Sequence, residues 1–211
     1  IIDELSAIRE ELKGSNAVSM KNYQLDKQIR TLAEKNRLHD ELHRQTAHQI
    51  DLLNSWLKRL IDTDNHDEKK ELLRRIVVVG AYLKRRNNLI LVNEQDGIIK
   101  TEELKLSLNE MMKNLSLSGI SCACAVQFED DVPSNIAMQL FDFYEYVVEN
   151  TFDGLTSLLA RFFHRDGSYF ACIDVVCSLD LTNLKKENLT VSVSEENCYT
   201  LSFQVKEGDG K

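Results

Sequence analysis

The chain has 211 residues, more than the roughly 100–150 of one typical domain, which predicts two units. Charged residues make up 28% and hydrophobic ones 43%, the balance of a globular chain rather than a disordered one. A net charge of −8 argues against broad nucleic-acid binding, which needs Lys and Arg to neutralise phosphates. The sequence has no apolar run of about 18 residues and no signal peptide, so no transmembrane segment is predicted in this chain.

Residues 1–61 contain no Pro, and only Gly14 with Ser15-Asn16 interrupts a helical pattern. Apolar positions at Leu25, Ile29, Leu32, Ala47, Ile50, Leu53, Leu57 and Leu60 form a stripe at helical spacing. Asn36, His39 and His43 stand in the gap of that stripe, on or beside the packing face. A polar connector is expected at Asp62-Thr63-Asp64-Asn65-His66-Asp67, and a second helix from Glu68 through Leu72, Ile76, Val79 and Leu83. Two long helices joined in this way predict an antiparallel hairpin. Such a hairpin cannot bury its whole apolar face alone, so a homodimer forming a four-helix bundle is expected.

Leu89-Ile90-Leu91-Val92 reads as a short strand, followed by a helix from Thr101, its expected N-cap, to the stop at Gly119. A strand over 120–128 comes next, then the lone Pro133 and an apolar helix over 136–163. Strands over 169–177, 189–193 and 199–205 complete the chain. The fold class is α+β: a helical hairpin over 1–92 followed by an α/β sandwich over 93–211. The five cysteines, all in the second half and none in a Cys-x-x-Cys pair, read as buried reduced thiols, which suits a cytosolic compartment. The chain lacks an initiating Met and opens directly in helical pattern, the expectation for a fragment whose upstream part is missing.

The chemistry concentrates at Arg37-Leu38-His39-Asp40-Glu41-Leu42-His43. A neutral imidazole is a good nucleophile near neutral pH, since its unperturbed pKa is about 6.5. Asp40, one residue on, is placed to hold the tautomer of His39 or take up its proton. Most helical histidines only pack or face solvent, so the pattern alone favours that plainer role. His39 and His43 at i and i+4 also suggest the zinc motif His-Glu-x-x-His. Asp40 stands at the Glu position and no third ligand follows, so a zinc hydrolase is disfavoured. His48 falls outside the pair.

Glu34-Lys35-Asn36-Arg37-Leu38-His39-Asp40-Glu41-Leu42 resembles the phosphoacceptor helix of bacterial sensor histidine kinases, with His43 where that family has Gly. The resemblance implies phosphorylation on His39, with Asp40 as the neighbouring acid, in a hairpin followed by an ATP-binding domain. Phe143-Tyr144-Glu145-Tyr146-Val147-Val148-Glu149-Asn150 is similar to the family's Asn-bearing helix, which implies Mg-ATP held by Glu149 and Asn150, with Asn150 as the magnesium ligand. It further implies onward transfer to an Asp of a response-regulator receiver domain, and placement as the cytoplasmic part of a membrane-bound sensor. The family's Asp-x-Gly-x-Gly motif and glycine-rich lid are missing here. Asp174 and Asp180 are the candidate remnants, and neither is flanked by glycine. A backbone that cradles phosphate needs close approach and φ values that non-Gly residues rarely adopt. Two alternatives follow: a phosphotransferase or pseudokinase scaffold that does not bind ATP, and a purely structural coiled-coil dimer.

Overall fold

The computed structural model describes residues 2–92 and 97–206; the side chains of residues 2–18, 34, 35, 38, 39, 41–43, 45 and 92 lie outside that description. Two compact units emerge, Ile1–His48 and Gln49–Lys211. The boundary expected between residues 92 and 93 touches 93–96, outside the described residues.

The first unit is helical. Helix α1 (Ile2–Asp62) runs through Gly14, whose cost of about 1 kcal/mol relative to Ala a long helix absorbs. Within this unit Leu25, Ile29 and Leu32 are exposed.

In the second unit the end of α1 turns into α2 (His66–Val92) over three residues, 63–65, a tighter turn than the six-residue connector expected. The Asn65 side-chain oxygen accepts the backbone N–H groups of Asp67 at 2.9 Å and Glu68 at 3.3 Å, capping α2. His66 and Asp67 therefore belong to the helix, where the acids of the first turn also meet the positive end of its dipole. The Glu68 carboxylate accepts the Thr63 hydroxyl at 2.7 Å and Arg59 Nη2 at 2.8 Å, fastening the turn from both sides.

The strand expected at 89–92 is instead the last turn of α2. Leu89 lies seven residues after Tyr82, two helical turns on, and both are buried. Leu72, Val78, Val79, Tyr82 and Leu89 form the buried stripe of α2, which packs on α3 (Thr101–Leu117) and α4 (Ser134–Thr151). Part of the face expected to need a second copy is thus covered within the chain.

Thr101 is the first helical residue of α3 rather than its N-cap. Its hydroxyl donates to the Asp130 carbonyl at 2.7 Å, and its N–H is taken by the Asp131 carboxylate at 3.1 Å, so the cap comes from another segment. Gly119 ends α3 as expected, with a φ of +85°.

Strand β1 (Ile98–Ile99) pairs with β3 (Val132–Pro133), and a five-stranded sheet is built from β2 (Ser121–Gln127), β4 (Leu155–Arg165), β5 (Ser168–Cys177), β6 (Leu189–Glu195) and β7 (Cys198–Lys206). Its order is β2-β4-β5-β7-β6, with β2 parallel to β4 and the other pairs antiparallel. The fold is α+β, as expected, with a mixed sheet. Helix α4 lies on the face of β5 and β7, where Phe143 stacks on Phe203 at 4.8 Å.

The helix expected over 136–163 stops at Thr151, and its second half is β4. Leu158, Ala160 and Phe162 are buried at every second position, a strand period that a long apolar run hides. Gly154 makes the break possible. A Cβ there would meet Ser178 Oγ at 2.6 Å and Leu179 Cγ at 2.9 Å, so only glycine lets the chain pass this close.

Helices α2 and α4 are also joined by polar contacts. Arg86 donates to both oxygens of Asp142, Nε to Oδ1 at 2.8 Å and Nη2 to Oδ2 at 3.0 Å, and the Tyr82 hydroxyl donates to Oδ1 at 2.9 Å. The Tyr82 ring stacks on Phe141 with centroids 5.6 Å apart. Burial opposes the Arg86 charge, but the Asp142 hydrogen bonds more than restore it, leaving its pKa above the ordinary value. Burial, reinforced by the Asp142 charge, holds Tyr82 protonated.

Candidate functional site

His39 and Asp40 stand in α1, about six turns before its end at Asp62. The Asp40 side chain is exposed; that of His39 lies outside the described residues, as does that of His43. The helix sets the relation between the two. Consecutive residues are separated by about 100° around the axis, so His39 and Asp40 stand on adjacent faces, with Arg37 and Asn36 on the preceding turn.

The second candidate region is the C-terminal half of α4. Asn150 is half-buried, and its Nδ2 donates to the Tyr146 carbonyl at 2.7 Å. That bond turns the amide nitrogen onto the helix backbone. The face one turn earlier is taken by the connector between β5 and β6. The Tyr146 hydroxyl donates to the Lys185 carbonyl at 3.3 Å, and the Lys186 ammonium lies 4.7 Å from the centre of the Tyr146 ring. Glu149 is exposed on a different face of α4, beside a cavity that Asn150 does not line. Sequence order thus puts Glu149 and Asn150 side by side, while the helix sends them in different directions.

The two acids that could have stood for the family's nucleotide Asp are both engaged elsewhere. Asp174 accepts Thr200 Oγ1 at 2.6 Å and Arg161 Nη2 at 2.8 Å across neighbouring strands. Its neighbours in sequence, Ile173 and Val175, point into the core, so Asp174 lies on the opposite face of the sheet. Asp180 accepts the Thr182 hydroxyl at 2.7 Å and its N–H at 2.9 Å, bonds that hold its carboxyl below the ordinary value. The glycines also have other duties: Gly119 ends α3, Gly154 admits residues 178–179, and Gly167, with a φ of +69°, forms the β4–β5 turn with Asp166. Asn150 contributes a single side-chain oxygen on this face, and the 178–188 connector contains no glycine.

The cysteines are free thiols, and burial pushes that of Cys124 up to about 12, so it is no nucleophile at neutral pH. No cluster of metal-ligating side chains occurs among the described residues, and no helix there is long and apolar enough to cross a membrane.

One group was not singled out from the sequence. Glu145 is 3% exposed, its Oε2 has no hydrogen-bond partner among the described residues, and burial, with the Glu149 and Asp142 charges, raises its pKa well above the ordinary value. The available signal was an acid inside the aromatic and aliphatic run 143–148, where only the tertiary packing decides that it faces inward.

No family model matches the sequence, and no curated protein matches it. Similar solved structures include the AdeS histidine kinase of Acinetobacter baumannii, 10% identical over 79% of this chain and 98% of that one, with a TM-score of 0.38. The histidine kinase domain of the blue-light-activated histidine kinase of Erythrobacter litoralis is 14% identical over 76% of this chain and 94% of its own, with a TM-score of 0.40. A bacterial phosphotransferase is 12% identical over 76% and 90% of the two chains, with a TM-score of 0.41. Likeness at this level assigns no family.

Proposed function

We propose that the chain is a cytoplasmic phosphoryl carrier of a two-component relay, in which His39 exchanges a phosphoryl group with the aspartate of a response-regulator receiver domain. The His39 imidazole nitrogen attacks phosphorus of the aspartyl phosphate. A P–N bond forms as the P–O bond breaks, and the receiver carboxylate leaves. Asp40 takes up the ring proton, and the reverse step passes the group to a second receiver. The observation that carries this reading over autophosphorylation is the 178–188 connector. It packs on Tyr146, and its acids and nearby glycines serve the protein's own contacts. The exposed stripe Leu25, Ile29 and Leu32 supports a homodimer in which the two copies of α1 cover each other as a coiled coil ahead of the hairpin.

A second reading, autophosphorylation from Mg-ATP, is favoured by one contact: the Asn150 amide nitrogen is spent on the Tyr146 carbonyl, which leaves the amide oxygen as the group to meet a cation. In that case Asn150 ligates magnesium, without Glu149, which stands on another face of α4. Two labelling reactions separate the readings. A receiver domain carrying labelled phosphoryl should label the chain, His39→Gln should abolish the label, and Mg-ATP labelled at the γ-phosphate should give none. Labelling by Mg-ATP that depends on His39 and falls with Asn150→Ala would establish the kinase instead. If neither donor labels the chain, the structural coiled-coil dimer is what remains.

A further inference from the structure

Between the helical hairpin and α4 lies a cavity of about 320 Å³, wholly within the unit Gln49–Lys211. Leu52 and Trp56 of α1, Val78 and Val79 of α2, and Val148 and Phe152 at the end of α4 give it apolar walls. Its volume stands at the small end of the roughly 300–1,000 Å³ typical of small-molecule sites, room for one compact molecule.

One polar group of the lining stands apart. Glu145 lines this space while only 3% exposed, and its Oε2 has no hydrogen-bond partner among the described residues. Burial keeps its carboxyl protonated. A protonated carboxyl is a neutral group with one O–H to donate. Buried polar groups are nearly always hydrogen-bonded, so an unmatched acid in an apolar wall marks a place where an acceptor belongs. The charged groups of the lining do not call for an ionic ligand. Arg75 already serves two carboxylates, its Nε donating to Glu71 at 3.1 Å and its Nη2 to Asp153, and its guanidinium carbon lies 5.2 Å from the Phe152 ring. Glu149 is exposed at the surface.

From the apolar walls and the one buried acid without a partner, we propose that this cavity binds a small neutral molecule, an apolar body bearing one carbonyl oxygen. The carbonyl accepts the Glu145 O–H, and the body fills the space between Trp56, Val79 and Phe152. A hydrocarbon of the same shape would fill the walls but leave the acid unmatched. An ion of either sign would give up its hydration to apolar walls and a neutral acid. Because the lining comes from both arms of the hairpin and from α4, an occupant also ties the hairpin to the α/β layer.

Calorimetry on the whole chain tests this with acetophenone as the probe, ethylbenzene as its hydrocarbon counterpart, and benzylammonium and benzoate as the charged ones. The expected result is saturable binding of acetophenone and no binding of either ion. The hydrogen bond is read as a ratio of affinities, because ethylbenzene is more apolar and gains more from leaving water. Glu145→Leu should weaken acetophenone roughly tenfold relative to ethylbenzene, whereas Glu145→Gln, whose amide still donates, should keep the parent ratio within about threefold. Val79→Phe fills the space with a ring and should abolish binding of both, which keeps the test decisive should the Glu145 variants fail to fold. No saturable binding of acetophenone at millimolar concentration, an unchanged ratio in Glu145→Leu, tighter binding of either ion, or undiminished binding in Val79→Phe would overturn the proposal.

Discussion

Replacing Asp142 with Ala should destabilise the second unit by about 3–5 kcal/mol, because it removes the carboxylate that faces a buried positive charge. The Arg86 side chain is 5% exposed and Asp142 is 32% exposed, so the pair lies at the inner edge of the α2–α4 contact with little water to replace a lost partner. Truncation removes the two guanidinium hydrogen bonds to Asp142 and the acceptor of the Tyr82 hydroxyl. Trp56 is the only tryptophan in the chain, and it stands close to Arg75 of α2, so its fluorescence reports whether the hairpin stays on the α/β layer during urea unfolding. With a urea slope of about 1–3 kcal/mol per molar, the midpoint should fall by roughly 2 M. The double variant Arg86→Met, Asp142→Leu should recover most of that loss, since two apolar residues of similar size bring no unpaired charge. A midpoint shift below about 0.5 M for Asp142→Ala would refute the reasoning, because a slope of about 1–3 kcal/mol per molar then leaves no room for the loss of a buried ion pair.

Two further outcomes are expected. Glu145 keeps its proton in the folded state to a higher pH than in the unfolded chain, so its contribution is complete below the ordinary value of 4.5 and is lost as pH rises above it. Stability should therefore decline with pH above 4.5, by at most about 1.4 kcal/mol per unit from this group, and Glu145→Gln should flatten the decline in urea midpoints. An unchanged slope in the variant would show that the carboxyl is not buried as described. Leu25→Glu with Ile29→Glu places charge in the exposed stripe of α1 and should turn the proposed dimer into a monomer by sedimentation equilibrium, whereas an unchanged dimer mass would place the contact elsewhere and a monomeric parent chain would refute the dimer.

Several elements could be read from local pattern alone. Strands β5 and β7 alternate buried and less buried positions along their length, and that two-residue period is written into residues 169–177 and 199–205. Gly119 and Asn65 mark helix ends by chemistry that acts within a few residues. The errors share a cause. Residues 89–92 and 155–163 are runs of apolar residues, compatible with either period, and the choice depends on what packs against them. Leu89 is helical because α2 presents it to the core with Tyr82, and Leu155 begins a strand because Gly154 breaks the chain direction against Ser178.

The same division holds for the candidate sites. The sequence by itself determined that a histidine and an acid are adjacent on a helix preceding an α/β unit, and that a glycine-poor segment follows the Asn-bearing helix, because these are matters of order and composition. Only the tertiary structure decided where the side chains of α4 go. Asn150 and Glu149 are neighbours in sequence, yet the helix turns one towards its own backbone and the connector side and the other towards the hairpin. Glu145 became notable only when the two arms of the hairpin and α4 closed around it. Burial and lost hydrogen bonds are properties of three packed elements, and no single segment encodes them.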